Sequence, residues 1–101
     1  IRGWWRTRTP SQRKQAASRL GTSSSNDIAP AMIRLALESR ARTAIIQMQD
    51  LLNLGSAARM NRPGIALDNW RWRMETKDFR APLARELRTQ ITATKRLPTR
   101  R

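Results

Sequence analysis

The spacing of apolar and polar residues predicts a first helix over residues 10–20. Thr9 is a favourable N-cap, Pro10 suits the first turn of a helix, and Gly21 suits the position that follows the last turn. The segment contains few apolar residues, so we expect this helix to lie on the surface.

Two further helices are predicted. One covers residues 28–39, begins at a cap formed by Asn26 or Asp27, and has a broad apolar face typical of a helix that packs against a sheet. The other covers about residues 79–96, because apolar residues recur there at every fourth position: Leu83, Leu87 and Ile91.

Residues 44–49 are the best candidate for a strand. The run is short and nearly continuously apolar, which is typical of a parallel strand covered on both faces in an α/β fold. One parallel strand cannot form a sheet, so we expect the chain to be mostly helical when isolated and to be part of a larger domain. Residues 51–69 then form a long connection with one helical turn at about 51–54, and residues 70–74 fit either a strand or a helix.

Composition excludes several chemistries. The 101 residues include no His and no Cys, which excludes zinc fingers, thiol nucleophiles, disulfides, haem ligation and histidine acid–base catalysis within this sequence. Only four Gly are present, and they spell no phosphate-binding loop. We therefore expect no metal and no cofactor. The strong core formers are 10 Leu, 7 Ile and 1 Phe, a low share that predicts a modest core.

No segment has the length of a membrane span, and the first residues lack the apolar region of a signal peptide, so we expect a cytoplasmic protein with no membrane partner. The sequence begins with Ile1 rather than Met, which indicates processing or excerption from a longer chain.

The formal net charge is +14, and 18 of the 21 basic residues are Arg. Guanidinium groups bind phosphates, so one hypothesis is a small basic nucleic-acid-binding protein. The Arg residues are scattered rather than clustered, which favours ordinary solvated faces and only nonspecific contact with nucleic acid. A third hypothesis is a degenerate gene remnant, which predicts a chain that stays largely unfolded.

Three motifs carry a family resemblance. They are QDLLNLGSAARMNRPG at residues 49–64, NWRWR at residues 69–73 and RGWW at residues 2–5. The chain resembles the 4-alpha-glucanotransferases, the amylomaltase or disproportionating enzymes of the glycoside hydrolase class. In that family the first motif reads Gln-Asp-Leu-Leu-Gly-Leu-Gly-Ser-Glu-Ala-Arg-Met-Asn-X-Pro-Gly. The sequence departs from the family pattern at four positions: Asn53 and Asp68 replace Gly, Ala57 replaces Glu, and Ile65 replaces Thr.

The resemblance implies the carboxyl-terminal portion of a (β/α)8 barrel. Residues 1–96 would be the last part of the catalytic barrel, with the strand at 44–49 as its last strand, and residues 97–101 a basic tail. The implied reaction transfers a segment of an α-1,4-glucan to the 4-hydroxyl of glucose or another glucan by a retaining double displacement. The implied partners are α-1,4-glucans and the remainder of the barrel. The catalytic Asp, Glu and second Asp are expected upstream of Ile1, so this chain alone should be inactive.

Five residues are predicted to bind substrate by the same resemblance: Asn61, Arg59, Pro63, Asp50 and Trp4. Asn61 fits two roles, a contact with sugar hydroxyls or a turn before Pro63. For Arg59 we expect a hydrogen bond to backbone carbonyls in the loop rather than to sugar, and Asp50 would hold Arg59 or cap the following turn. One of Trp4 and Trp5 is expected to wall the site. Packing is favoured over sugar stacking for Trp70 and Trp72.

Overall fold

A computed structural model describes residues 1–97 of the protein as a helical structure with no strand in that range. The α-helices are α1 (Arg2–Arg6), α2 (Pro10–Leu20), α3 (Ile28–Glu38), α4 (Met48–Leu51) and α5 (Ala81–Ala93), with 3₁₀ turns at Ser56–Ala58 and Thr76–Asp78. Most of the predicted basic tail, residues 98–101, lies outside the described range. None of the helices within residues 1–97 combines the length and the apolar character needed to cross a bilayer.

Helix α2 begins and ends where the sequence predicts. The Thr9 side chain accepts a hydrogen bond from the backbone N–H of Gln12 at 3.2 Å, and the Gln12 side chain accepts one from the Thr9 N–H at 3.1 Å. This reciprocal pair satisfies N–H groups that have no partner within the helix. Gly21 ends the helix with a φ of 73°. No residue of α2 is buried, which confirms the predicted surface position.

Helix α3 lies at the centre of the core. Ile28, Ile33 and Leu37 are buried on it, and α1, α2, α4 and α5 all pack against it. Its observed range matches the predicted helix closely, and Asp27 is the N-cap, although its side chain makes no capping hydrogen bond. The broad apolar face packs against other helices rather than against a sheet.

The predicted strand at residues 44–49 is wrong for the part of the chain that the structure describes. Residues 43–47 have no regular secondary structure and α4 begins at Met48. A strand requires a neighbour to satisfy its backbone N–H and C=O groups, and no other segment of residues 1–97 lies beside this one as a strand. The Ile45 side chain is 88% exposed as a result.

The carboxyl-terminal segment is tied to the end of α3 by one side chain. The Arg96 guanidinium donates hydrogen bonds to the carbonyls of Leu37 at 2.6 Å, Ser39 at 3.0 Å and Ala41 at 2.8 Å. Carbonyls at a helix end have no partner within the helix, so a guanidinium placed there stabilises the end and the turn that follows it.

Three local predictions differ from the structure. Helix α5 covers Ala81–Ala93, a shorter range than the predicted 79–96. The helical turn expected at 51–54 lies earlier, at Met48–Leu51. Residues 70–74 form neither a strand nor a helix. Helix α1 was not predicted from the sequence. It buries Trp5 and leaves Trp4 half-buried.

Candidate functional site

An open cleft of about 470 Å³ is bounded by α1, α3 and two loop segments, residues 45–47 and 59–61. It brings together four of the five predicted site residues: Trp4, Asp50, Arg59 and Asn61. Pro63 is exposed on the same loop and does not line the cleft.

The two neighbouring Trp residues of α1 have different roles. Trp5 is 2% exposed and belongs to the core, whereas Trp4 is half-buried and lines the cleft. The Arg8 guanidinium carbon lies 5.4 Å from the centroid of the Trp4 ring, a distance at which the cation is attracted to the aromatic face. Of the two candidates, Trp4 is therefore the one that walls the cleft.

Asp50 is buried at the floor of the cleft, on α4. Its Oδ1 accepts a 2.8 Å hydrogen bond from the backbone nitrogen of Ile1. This contact joins the start of the described chain to α4, across 49 positions of sequence. Of the two roles expected for Asp50, holding Arg59 or capping the following turn, the first is not observed, because no ion pair or hydrogen bond joins these two side chains among residues 1–97.

The loop that carries Arg59 and Asn61 is held by other residues. Asn69 Oδ1 accepts from the Arg62 N–H at 2.9 Å, and Asn69 Nδ2 donates to the Ile65 carbonyl at 2.6 Å. Arg62 Nη2 donates to the Ser56 carbonyl at 3.2 Å. Within residues 1–97, Arg62 thus makes the loop-stabilising side-chain bond that was predicted for Arg59.

Asn61 is exposed and lines the cleft, and a turn follows it at Pro63 and Gly64. Both roles predicted for Asn61 are compatible with this placement, because the residue before a turn can present its amide to the cleft. The amide can donate to and accept from vicinal hydroxyls at the same time.

Five of the other residues that line the cleft were not predicted as site residues from the sequence. Met32 and Ala36 line the cleft from α3, and Ile45, Ile46 and Gln47 line it from the segment before α4. The first two are four positions apart and so share one helix face. The spacing of Met32 and Ala36 is visible in the sequence, but it indicates packing in a core as much as a place in a cleft. Residues 45–47 were interpreted as part of the predicted strand rather than as site residues.

The cleft is therefore lined by apolar side chains, by several polar side chains and by one aromatic ring. Such a surface suits a neutral polyol, because sugar rings present apolar faces to indole and hydroxyls to amides and guanidinium groups. Asp50 is the single carboxylate among the lining residues, and no group of metal-binding side chains occurs in the described part of the chain. The arrangement can bind and orient a sugar, but it lacks the facing carboxylate pair that glycosyl transfer requires.

The profile of the 4-alpha-glucanotransferase family, glycoside hydrolase family 77, matches residues 1–78, the range that contains all the residues lining this cleft. The chain belongs to that family. Among similar proteins, the 4-alpha-glucanotransferase of Aquifex aeolicus is 50% identical over 76 residues, which cover 74% of this chain. The chloroplastic/amyloplastic 4-alpha-glucanotransferase of Arabidopsis thaliana is 46% identical over 74 residues, or 73% of this chain. That of Thermus thermophilus is 36% identical over 100 residues, or 94% of this chain.

The chain spans a small part of the length of these relatives. It covers 16% of the Aquifex aeolicus protein, 13% of the Arabidopsis thaliana protein and 20% of the Thermus thermophilus protein. Membership of the family implies a (β/α)8-barrel enzyme. None of these relatives supports the alternative of a nucleic-acid-binding protein.

Proposed function

We propose that this chain forms a glucan-binding segment of a 4-alpha-glucanotransferase, an enzyme that transfers part of an α-1,4-glucan to the 4-hydroxyl of glucose or another glucan. The observation that carries the proposal is the cleft in which Trp4, Asp50, Arg59 and Asn61 meet inside the range matched by the family profile. Trp4 is distant in sequence from the other three residues, so its position beside them is a property of the fold.

Each residue has a role that its chemistry supports. Trp4 offers a flat apolar surface to a glucose ring, and Asn61 and Arg59 donate hydrogen bonds to its hydroxyls. Asp50 is held by the Ile1 backbone nitrogen through one oxygen, and its second oxygen can accept from a hydroxyl or keep α4 in place. All four residues would bind and orient the glucan. The carboxylates of the retaining double displacement belong to other parts of the barrel, so the 101-residue chain alone transfers nothing.

The segment before α4 supports the proposed place in the barrel. Ile45 is 88% exposed, and in residues 44–47 half-buried and exposed side chains alternate, as they do on a strand. Within the whole enzyme, this segment would pair with neighbouring parallel strands, and residues 1–96 would form the carboxyl-terminal segment of the barrel. The cytoplasmic location expected from the sequence stays a prediction.

A chimeric enzyme tests the proposal. Residues 1–78 of this chain would replace the matching segment of the Aquifex aeolicus enzyme, and glucose release from maltotriose would be measured. We expect the chimera to disproportionate maltotriose, and Asn61→Ala to lower kcat/KM about tenfold, the equivalent of one or two hydrogen bonds.

The matched control is Asn26→Ala, because Asn26 is an exposed Asn outside the cleft whose hydrogen bonds to Ser24 and Asn53 are made by its backbone N–H and carbonyl, which Ala retains. Equal activities of the Asn61→Ala and Asn26→Ala chimeras would show that the cleft does not bind the transferred glucan. Transfer by the isolated 101-residue chain would contradict the assignment of the catalytic carboxylates to the rest of the enzyme.

A further inference from the structure

A second groove, of about 530 Å³, lies between the end of α1 and one side of α2. We refer to it as the α2 groove. Its polar and aromatic lining consists of one indole ring, two guanidinium groups, two amides and one hydroxyl: Trp4, Arg8, Gln12, Gln15, Ser18 and Arg19. No carboxylate lines the groove, so its surface is positively charged.

The surroundings of the α2 groove leave this charge uncompensated. Residues 1–26, which include both helices, contain six basic residues and no Asp or Glu. On the neighbouring helix α3, Glu38 lines a separate pocket together with Arg19. No ion pair among residues 1–97 involves Arg8 or Arg19, however. Both guanidinium groups therefore lack a counter-ion in the part of the chain that the structure describes, and they favour an anionic ligand.

The Arg8 guanidinium is held in position before a ligand binds. Arg8 is half-buried, and its guanidinium carbon lies 5.4 Å from the centroid of the Trp4 ring. Its Nη2 donates to the Thr7 hydroxyl at 3.3 Å, and its Nε has no hydrogen-bond acceptor within residues 1–97. A guanidinium that is already ordered loses little side-chain entropy when it binds an anion, and this one has donors to spare.

Helix α2 supplies the other donors of the groove. Gln12, Gln15 and Arg19 are separated by three and four positions and therefore follow one face of the helix. The side-chain oxygen of Gln12 accepts from the Thr9 N–H at 3.1 Å, which leaves the amide NH₂ group of Gln12 to donate to a ligand. Gln15 and Arg19 are exposed, so their donors are accessible from solvent.

The ligand that best matches these donors is a phosphate dianion. Its double charge balances two guanidinium groups, and its several oxygens accept from guanidinium and amide donors at the same time. The volume of the groove lies within the range of about 300–1,000 Å³ that is typical of small-molecule sites. A nucleic-acid strand needs cations at successive phosphates, but Arg13 and Lys14, the other basic residues of α2, do not line the groove.

We propose that the α2 groove binds a phosphate dianion, either free or carried by a small ester, between the guanidinium groups of Arg8 and Arg19, and that the two amides of α2 donate to its remaining oxygens. The proposal goes beyond glucan transfer and does not depend on it, because Arg8 and Arg19 lie outside the cleft. Trp4 lines both sites, so a bound phosphate would lie next to the cleft across one indole ring.

Isothermal titration calorimetry of the 101-residue chain with glucose 6-phosphate, inorganic phosphate and glucose tests this. We expect the tighter of the two phosphate ligands to bind at least about tenfold more tightly than glucose, and added sodium chloride to weaken its binding. Arg19→Gln should lower the affinity for that ligand about tenfold, the equivalent of one hydrogen bond to a charged group. Whichever phosphate ligand binds more tightly identifies the source of the dianion.

Lys14→Gln is the matched control. Lys14 is an exposed cation on the same helix outside the groove, so this substitution changes the net charge as Arg19→Gln does. Gln is a good helix former at both positions, and far-ultraviolet circular dichroism verifies that α2 is retained. We expect the control to keep its affinity for phosphate. Equal losses in the two variants would show that overall charge attracts the anion, and would overturn the groove as a site.

Three other results would also overturn the proposal. One is glucose that binds as tightly as both phosphate ligands, and another is acetate that binds as tightly as phosphate. The third is a short single-stranded RNA that binds more tightly than either phosphate ligand and loses its affinity in Arg19→Gln but not in Lys14→Gln, which would make the groove a nucleic-acid site. Loss of maltotriose binding in the unchanged chain would count against the cleft and leaves these measurements unaffected, because Arg19 does not line the cleft.

Discussion

Gly3 lies where α1 packs against the 3₁₀ turn Ser56–Ala58, and a methyl group there has no room. A Cβ atom built on Gly3 would lie 2.9 Å from both the backbone nitrogen and the Cα of Ser56, and would also collide with the Ser56 Oγ. A hydroxyl can rotate away, but the two backbone atoms cannot move without shifting the turn. We therefore expect Gly3→Ala to separate α1 from this turn.

Two opposing effects set the change in the free energy of unfolding that Gly3→Ala causes. Ala is favoured over Gly inside a helix by about 0.5–1 kcal/mol. Overpacking costs about 1–3 kcal/mol, and the upper part of that range applies because backbone atoms are involved. The net loss is then about 1–2 kcal/mol. For a chain of this size, each kcal/mol corresponds to roughly 4–8 °C in Tm, so we expect a decrease of roughly 5–15 °C.

Thermal unfolding followed by Trp fluorescence measures this, since Trp5 is buried on α1, the helix that carries Gly3. Gly55→Ala is the matched control, because Gly55 has an ordinary φ of −85° and no atom lies within 4 Å of the position that a methyl group would take there. We expect the control to leave Tm unchanged or slightly raised. If Gly3→Ala were as stable as Gly55→Ala, α1 would not pack on the turn, and the placement of Trp4 in the cleft would lose its support.

Three further substitutions, one of them with a matched control, test other contacts. Arg96→Ala should lower the free energy of unfolding by about 1–3 kcal/mol in urea titrations, because several carbonyls at the end of α3 lose their donor; an unchanged midpoint would contradict this. Ile28→Ala should lower the free energy of unfolding by about 2–5 kcal/mol, because the Ile28 side chain is fully buried. Ile65 is 52% exposed, so Ile65→Ala, the matched control, should lower it by less than about 0.5 kcal/mol. Asn69→Ala should speed hydrogen exchange at the Arg62 amide without a large change in global stability, and unchanged exchange there would show that Asn69 does not hold the loop.

Local signals in the sequence were sufficient for helices α2 and α3, but not for α1. The capping residues Thr9, Gln12 and Gly21 specify the ends of α2 through contacts within a few positions, and the structure contains those contacts. The strand at 44–49 depends instead on partners that are distant in sequence, and none is present within residues 1–97. A pattern can predict that a segment is compatible with a strand, but pairing decides whether one forms.

Two departures from the family pattern have a structural explanation. Asn53 and Asp68 stand where the family has Gly, and their φ angles are 56° and 59°. Asn and Asp are the residues other than Gly that best tolerate this left-handed region, so the turn is kept. The Asn53 side chain also donates to the Asn26 carbonyl at 2.7 Å, a contact that Gly could not make.

The sequence predicted which residues line the cleft better than it predicted the hydrogen bonds that they make. The loop motif identified Arg59 and Asn61, and the fold places both in the cleft with Trp4 and Asp50. The bonding pattern was not predictable, because Arg59 and Arg62 are three positions apart in the same loop and only the loop geometry decides which one reaches Ser56. The α3 wall was missed because an apolar residue at a cleft and one in a core follow the same periodicity.

The most direct test of the central claim is a ¹⁵N chemical-shift titration of the 101-residue chain with maltotriose. Four Trp indole N–H signals and the Asn side-chain amides report on the cleft and on its surroundings. We predict that the Trp4 indole and the Asn61 amide shift together and saturate at one sugar concentration, while Trp70, which is exposed outside the cleft, does not shift. Shifts at Trp70 without shifts at Trp4 and Asn61 would contradict the assignment of this cleft to glucan.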